Sequence, residues 1–217
     1  MPSGRFAFSR AKLETQAASL ISSVINPLIV PTLGILFLFN IDSHLAFSVS
    51  PPVKRLILAI VFFNTCIAPV FFIFLLKKFG IINDVLLNER KDRLIPLLIS
   101  ALLYFVAYFL LRQVSIPHIL PVYILGATLL ILLTLLITYR WKISIHMTTM
   151  GGLTGFILSF GFIYQIDIST PLILTILVSG LLGTARLVVN AHNLSQVFAG
   201  YALGVSVIML VMLFQVG

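Results

Sequence analysis

Seven long apolar stretches divide the chain, and their length limits the folds that are open to it. A helix needs about 20 predominantly apolar residues to cross the hydrocarbon core of a bilayer. The stretches cover residues 18–40, 56–76, 94–111, 119–139, 147–164, 171–187 and 197–216. Each is continuously apolar rather than alternating, which is typical of a membrane helix. The sequence therefore predicts an all-α, polytopic transmembrane helical bundle with about six to seven spanning helices.

The composition supports a membrane protein and excludes several other classes. Apolar residues make up 60% of the chain and charged residues 9%, whereas about a quarter of an ordinary soluble domain is charged. The formal net charge of +8 comes with 14 basic residues spread between the apolar stretches. That distribution is typical of loops bordering a bilayer, so we expect no nucleic-acid partner. Cys66 is the one cysteine, which excludes an intramolecular disulfide.

Two parts are distinguished along the chain. Residues 1–17 form an N-terminal basic segment, and residues 18–217 form a single transmembrane domain of the kind described below. A signal peptide has the same pattern, with basic residues before an apolar run. The first apolar run is too long for one, however, and lacks a convincing small-residue cleavage site, so we expect it to be a retained membrane helix.

Three polar clusters interrupt the apolar pattern. They comprise residues 88–93 before the third predicted helix, 140–146 before the fifth, and 186–196 between the sixth and the seventh. Two crossings separate each cluster from the next, and an even number of crossings returns the chain to the same face. We therefore expect the three clusters to meet at one edge of the bundle.

The distribution of basic residues predicts an orientation. With seven crossings, Lys54, Arg55 and Arg112 fall on the side opposite the N-terminus, and the other 11 of the 14 share its side. The positive-inside rule places the side rich in Lys and Arg in the cytoplasm. The sequence thus predicts an integral membrane protein, of the bacterial inner membrane, whose N-terminus and polar clusters are cytoplasmic.

The residue types in the clusters are suited to binding an anion. They include several arginines and lysines together with His146, His192 and Ser144, and few carboxylates. Phosphate fits such a set best, because arginine offers it a bidentate fork and lysine a point charge. One histidine can attack bound phosphate while a second protonates the leaving oxygen. Two histidines among cations form a poor zinc site, so we expect neither a metal nor another cofactor.

The third cluster has a regular spacing. Five residues separate Arg186 from His192, and gaps of three residues lead on to Gln196 and then to Gly200. This resembles the third motif of the type-2 phosphatidic acid phosphatase superfamily, membrane lipid phosphatases related to vanadium haloperoxidases. That motif is Ser-Arg, five residues, His, three residues, Asp, three residues, Gly.

The other two family motifs are matched less closely. The second motif, Pro-Ser-Gly-His, resembles residues 143–146, which keep its serine and histidine. The first motif, Lys, six residues, Arg-Pro, is loosely similar to residues 93–96. The motifs occur in the family's order, and the resemblance spans residues 88–200, about half of the chain.

The resemblance implies a role for each site residue. His192 would be the nucleophile that forms a phosphohistidine, and His146 the general acid for the departing alcohol. Gln196 would stand where the family has the aspartate that orients the nucleophile. The phosphate-binding residues would be Arg186, Arg93 and Ser144, with Arg90, Lys91 or Lys142 supplying further charge. The substrate would be a lipid phosphate monoester or diphosphate, and the family chemistry needs no metal.

Departures from the family pattern leave other functions open. Gln196 has no negative charge, unlike the aspartate of the family. The first motif's lysine would stand at position 86 or 88, and Leu86 and Asn88 have no positive charge. One alternative is a phosphatase-fold protein that has lost catalysis and binds an anionic lipid or a membrane partner. Another is a small transporter, but transporter sites usually lie near the bilayer midplane rather than at one edge.

Overall fold

The computed structural model describes residues 3–41, 44–87 and 89–216, and these ranges are helical without strands. Their α-helices are α1 (Ser3–Val24), α2 (Val30–Asn40), α3 (His44–Ser48), α4 (Pro51–Phe62), α5 (Ala68–Lys78), α6 (Leu94–Arg112), α7 (Ile119–Arg140), α8 (Ile145–Tyr164), α9 (Ser169–Val188) and α10 (Leu194–Val216). A π-helical turn, Phe63–Ile67, makes α4 and α5 continuous. A 3₁₀ turn, Lys91–Arg93, precedes α6.

The predicted polytopic helical bundle is confirmed. Six helical segments of the described chain are long and apolar enough to cross a membrane: Pro51–Lys78, Lys91–Arg112, Ile119–Arg140, Ile145–Tyr164, Ser169–Val188 and Leu194–Gln215. Large apolar side chains are exposed on their outer faces, among them Phe71, Leu102, Leu177 and Phe214. Such an exposed apolar surface is typical of contact with membrane lipid. The chain is therefore an integral membrane protein.

The prediction of one continuous helix over residues 18–40 is wrong. α1 and α2 are separated by a break that contains Asn26 and Pro27. Proline has no N–H to donate and disfavours the helical conformation in the residue before it. The side-chain Oδ1 of Asn26 also accepts a hydrogen bond from the N–H of Leu28 at 3.0 Å, which stabilises a turn. A hydropathy average over this apolar run does not register the break.

α2 is a short helix that runs through the bundle antiparallel to α4. Its 11 residues correspond to about 16 Å, roughly half of the hydrocarbon thickness. Near its end, the ring of Phe39 lies 5.4 Å below the ammonium group of Lys54, in the first turn of α4. Because α4 and α5 then return to the edge where α6 begins, α2 starts at that edge and ends towards the other. The break therefore leaves Lys54 and Arg55 opposite the polar clusters.

α8 occupies the centre of the bundle and packs closely against α10. Glycines make this approach possible. A Cβ atom on Gly155 would lie 2.6 Å from the carbonyl oxygen of Val205, and one on Gly151 or Gly204 would overlap the backbone of the facing helix. The ring of Phe156 is fully buried next to this contact. The packing holds the first turn of α8 against the first turn of α10.

Candidate functional site

The three polar clusters lie together at one edge of the bundle. Arg93 donates from Nη1 to the carbonyl oxygen of Ile143 at 3.2 Å. The N–H of Ser144 donates to the carbonyl oxygen of Gln196 at 3.3 Å. A Cβ atom on Gly200 would come within 2.8 Å of the Ser144 carbonyl oxygen, so only glycine allows this approach. We call the resulting site the polar edge and define it by Arg93, Ser144, His146, Arg186, His192 and Gln196.

The turn between α9 and α10 brings Arg186 and His192 to the same place. Asn190 has a left-handed backbone with φ of 52°, which asparagine tolerates better than most residues. The N–H of Ala191 then donates back to the carbonyl oxygen of Arg186 at 3.1 Å, which closes the end of α9. The chain thus reverses within the five residues that separate the guanidinium from the imidazole.

The imidazole of His192 is held by a reciprocal cap at the start of α10. Oδ1 of Asn193 accepts from the N–H of Gln196 at 3.0 Å, and Oε1 of Gln196 accepts from the N–H of Asn193 at 3.3 Å. This is a capping box, in which glutamine or glutamate stands three residues after the cap. Nδ1 of His192 lies 2.9 Å from the same Oε1. Since that oxygen can only accept, Nδ1 carries the hydrogen and Nε2 keeps the lone pair.

The surroundings of His192 favour the neutral ring. The side chain is 7% exposed. Burial, and then the charges of Arg93, Arg186 and Lys142, lower its pKa from 6.5 to about 4, against the raising effect of the hydrogen bond with Gln196. Partial burial, followed by the two arginines, also lowers the pKa of Lys142. At physiological pH the ring is therefore neutral, the form in which its nitrogen is a nucleophile.

We expect the ring of His192 to stay neutral down to about pH 4 in the ligand-free protein. Replacing Lys142 by glutamine removes one of the charges that lower this pKa, so the pKa should rise towards 6.5. The measurement is a pH titration of ring signals by NMR, in detergent micelles, with His192→Gln used for assignment. A wild-type midpoint near 6.5, or no rise in Lys142→Gln, would contradict these electrostatics.

His146 lies in the first turn of α8 and contacts the end of α1. Its Nε2 is 3.1 Å from the carbonyl oxygen of Ser22. A carbonyl oxygen only accepts hydrogen bonds, so Nε2 carries a hydrogen here. α1 thus contributes a residue to the polar edge that the motif spacing does not reveal, because the two partners are 124 positions apart.

Several polar atoms at the polar edge are buried and have no hydrogen-bond partner among the described residues. They are Nε of Arg186 and the hydroxyl oxygens of Ser144 and Ser22. Such atoms are rare in folded proteins, and each calls for a missing partner. Ser144 directly precedes α8, and its side chain does not cap that helix. The first N–H groups of a helix lack partners within it, so a guanidinium, hydroxyls and a helix N-terminus together suit an oxyanion.

Two of the predicted phosphate-binding arginines are tied to backbone carbonyls. Arg93 is buried and donates from Nε to the carbonyl oxygen of Leu87 at 2.7 Å, in addition to its bond with the start of α8. Arg90 is exposed and donates from Nη1 to the carbonyl oxygen of Arg140 at 2.7 Å. The bonds to Ile143 and Arg140 fasten the loop before α6 to neighbouring segments, and the bond to Leu87 lies within that loop. Arg93 still contributes its charge at His192, whereas Arg90 serves to hold the loop.

Neither position that corresponds to the lysine of the first family motif supplies a positive charge. Leu86 is exposed, and Asn88 lies outside the described residues. Lys142 is the lysine whose charge acts on His192. The sequence left Arg90, Lys91 and Lys142 open for this charge, and Lys91 is exposed.

Within the described ranges, no group of three or more His, Cys, Asp or Glu side chains is placed to hold a metal ion. Comparison with known proteins adds no relative: no family model matches this chain, and neither does a curated protein or a solved structure.

Proposed function

We propose that this protein is a membrane lipid phosphatase, which hydrolyses a phosphate monoester or diphosphate of a lipid through a phosphohistidine on His192. The observation that carries the proposal is the bond from Nδ1 of His192 to Gln196, which leaves Nε2 free as a nucleophile. Beside it, Arg186 and Ser144 have buried polar atoms without partners among the residues that the structure describes. A positioned nucleophile next to donors for an oxyanion is the arrangement that phosphoryl transfer requires.

In the first step, the lone pair on Nε2 of His192 attacks phosphorus, and the bond from phosphorus to the leaving oxygen breaks. Arg186, Ser144 and the first-turn N–H groups of α8 stabilise the negative charge on the other phosphate oxygens. His146, protonated on both ring nitrogens while the negatively charged phosphate lies beside it, gives its Nε2 proton to the leaving oxygen and becomes neutral, and that nitrogen releases the Ser22 carbonyl to do so. The lipid departs as an alcohol, or as a monophosphate if the substrate is a diphosphate.

In the second step, water attacks the phosphohistidine. His146, now without its proton, accepts one from the water, and the phosphorus–nitrogen bond breaks to return the electron pair to His192. Gln196 stabilises the charged ring of the intermediate with an amide dipole alone. We therefore expect slower turnover than a carboxylate at this position would give.

The location of the polar edge supports a lipid as the substrate. It lies where α8 and α10 begin and α9 ends, at one end of six membrane-crossing segments. A lipid whose chains lie in the bilayer holds its phosphate at that depth. The substrate is thus a membrane lipid phosphate, and this protein acts on it without leaving the bilayer.

Loss of the arginine at the end of α9 should impair this activity. We expect Arg186→Gln to lower kcat/KM for a lipid phosphate by about 100-fold, because a hydrogen bond to a charged group contributes roughly 1.5–3 kcal/mol. Inorganic phosphate release is measured in detergent micelles with a chelator present. The matched control is Arg112→Gln, the same change at the exposed opposite end of α6, which should leave activity unchanged. Equal effects of the two substitutions would refute a phosphate-binding role for Arg186.

The neutral side chain of Gln196 favours a second candidate function. A phosphatase-fold protein without catalysis would use the same cations to bind an anionic lipid or a membrane partner. Phosphate release by the wild type, tested against a panel of lipid phosphates, separates the two candidates. Saturable binding of those lipids without any release would favour the second.

We also propose that the polar edge faces the cytoplasm of a bacterial cell. Of the basic residues from Lys54 onwards, Lys54, Arg55 and Arg112 lie at the opposite edge and the others at the polar edge, and the positive-inside rule then favours a cytoplasmic polar edge. Arg90→Cys and His44→Cys, each in a Cys66→Ala chain, report on the two edges. An impermeant thiol reagent added to intact cells should label only His44→Cys. Labelling of Arg90→Cys alone would reverse the orientation.

A further inference from the structure

An apolar cleft descends into the bundle from the polar edge. Its cavity volume is about 70 Å³, within about 620 Å³ of space that includes the open mouth, so it is narrow. Its rim includes Ile145 and Thr149, which flank His146 on the first turn of α8, and Leu97, one turn beyond Arg93. The cleft therefore begins beside His146 and Arg93 at the polar edge.

The cleft extends along α7, whose wall residues show its depth. Thr134 lies towards the polar edge and Tyr123 towards the other end, with Ala127 and Ile131 between them. Eleven residues of helix correspond to about 16 Å. This depth and the mostly apolar lining suit an extended hydrocarbon chain.

The far end of the cleft is closed by aromatic rings. Tyr104 and Tyr123 are both buried and line it. The ring of Tyr123 stacks on Phe156 with centroids 4.0 Å apart. On its other side it packs against α2, where a Cβ atom on Gly34 would lie 2.6 Å from the tyrosine oxygen. Packed from two sides, this floor has little room to move.

We propose that the cleft receives one hydrocarbon chain of the phosphate-bearing lipid, and that Tyr104 and Tyr123 limit the length of that chain. The inference rests on the proposed function for the phosphate at the rim. The protein then selects lipid phosphates by chain length, because the phosphate is held at the polar edge and the chain can extend only as far as the two tyrosine rings.

The test uses straight-chain alkyl phosphates from butyl to hexadecyl, with binding measured by calorimetry and phosphate release measured in parallel. Ala127→Leu narrows the deep part of the cleft. The matched control is Ala202→Leu, the same change at an exposed position of α10. Comparing each variant with the wild type at every chain length cancels the partition of the ligand into micelles.

We expect Ala127→Leu to bind short chains as the wild type does and to bind chains that reach position 127 at least tenfold more weakly. Ile131→Phe lies one turn nearer the rim, so its loss should begin at shorter chains. This second variant also keeps the test decisive if Ala127→Leu does not fold. Ala202→Leu should match the wild type throughout.

The two proposals fail in different ways. Length-dependent loss of binding in these variants without phosphate release from any chain would overturn the phosphatase and support the cleft. Phosphate release together with equal losses of binding at all chain lengths would overturn the cleft proposal and leave the phosphatase proposal standing. So would losses of binding that begin at the same chain length in Ala127→Leu and Ile131→Phe.

Discussion

Replacing His192 with alanine is expected to lower phosphate release by about 10⁴-fold or more. Its Nε2 is an uncharged nitrogen held in place by the bond from Nδ1 to Gln196. Of its neighbours among the described residues, Arg186 and Arg93 are cations and cannot attack phosphorus, and the ring of His146 is held by the Ser22 carbonyl. Phosphate release from a lipid phosphate, with a chelator present, measures the effect.

The control for this substitution is His118→Ala. His118 is exposed just before α7, at the opposite edge, and should have no effect on release. Binding of the lipid phosphate by His192→Ala should persist, since the cations remain. Release that survives the loss of His192 would mean that water or another residue attacks the phosphate.

The second large effect is an expected gain. Gln196→Glu should raise turnover at least tenfold, because a carboxylate stabilises the charged ring of the phosphohistidine, which the amide does only weakly. In the serine protease template, exchange of the orienting carboxylate for an amide lowers kcat by about 10⁴. Glutamate also keeps the capping box with Asn193, since either residue type is preferred three positions after the cap. The pKa of His192 should rise as well, because the new charge favours the imidazolium.

Gln196→Leu is the matched loss. It keeps approximate volume and removes the acceptor for both His192 and the N–H of Asn193. We expect turnover to fall and Nδ1 to lose its fixed hydrogen, with KM changed little. Equal turnover in the glutamine, glutamate and leucine forms would show that this residue does not orient the nucleophile.

The bundle was predictable because continuous apolar length is what a bilayer requires of a helix. Residues 119–139, for example, coincide with α7 to within a residue or two. The exception is the break at Asn26 and Pro27, where a local turn sits inside an apolar run. Its chemistry is visible in the sequence, but an average over hydropathy conceals it.

The candidate site was predictable as far as spacing within one helix or turn extends. The gaps between Arg186, His192 and Gln196 follow from chain geometry at the α9–α10 turn, and the even number of crossings brought the clusters to one edge. The Asn193–Gln196 capping box was not predicted, although its three-residue spacing is a local sequence pattern. Contacts with Ser22, and the bond from Arg93 to the start of α8, join distant parts of the chain and have no sequence signature.

The central claim is that phosphate passes through His192, and trapping that intermediate tests it most directly. His146→Asn should slow breakdown of the phosphohistidine, because it removes the base that activates water, while a lipid substrate with a good leaving group keeps the first step fast. The protein is quenched in alkali during turnover and its peptides are analysed by mass spectrometry. The account predicts an acid-labile phosphoryl group on His192. A phosphoryl group on another residue, or none while phosphate is still released, would contradict it.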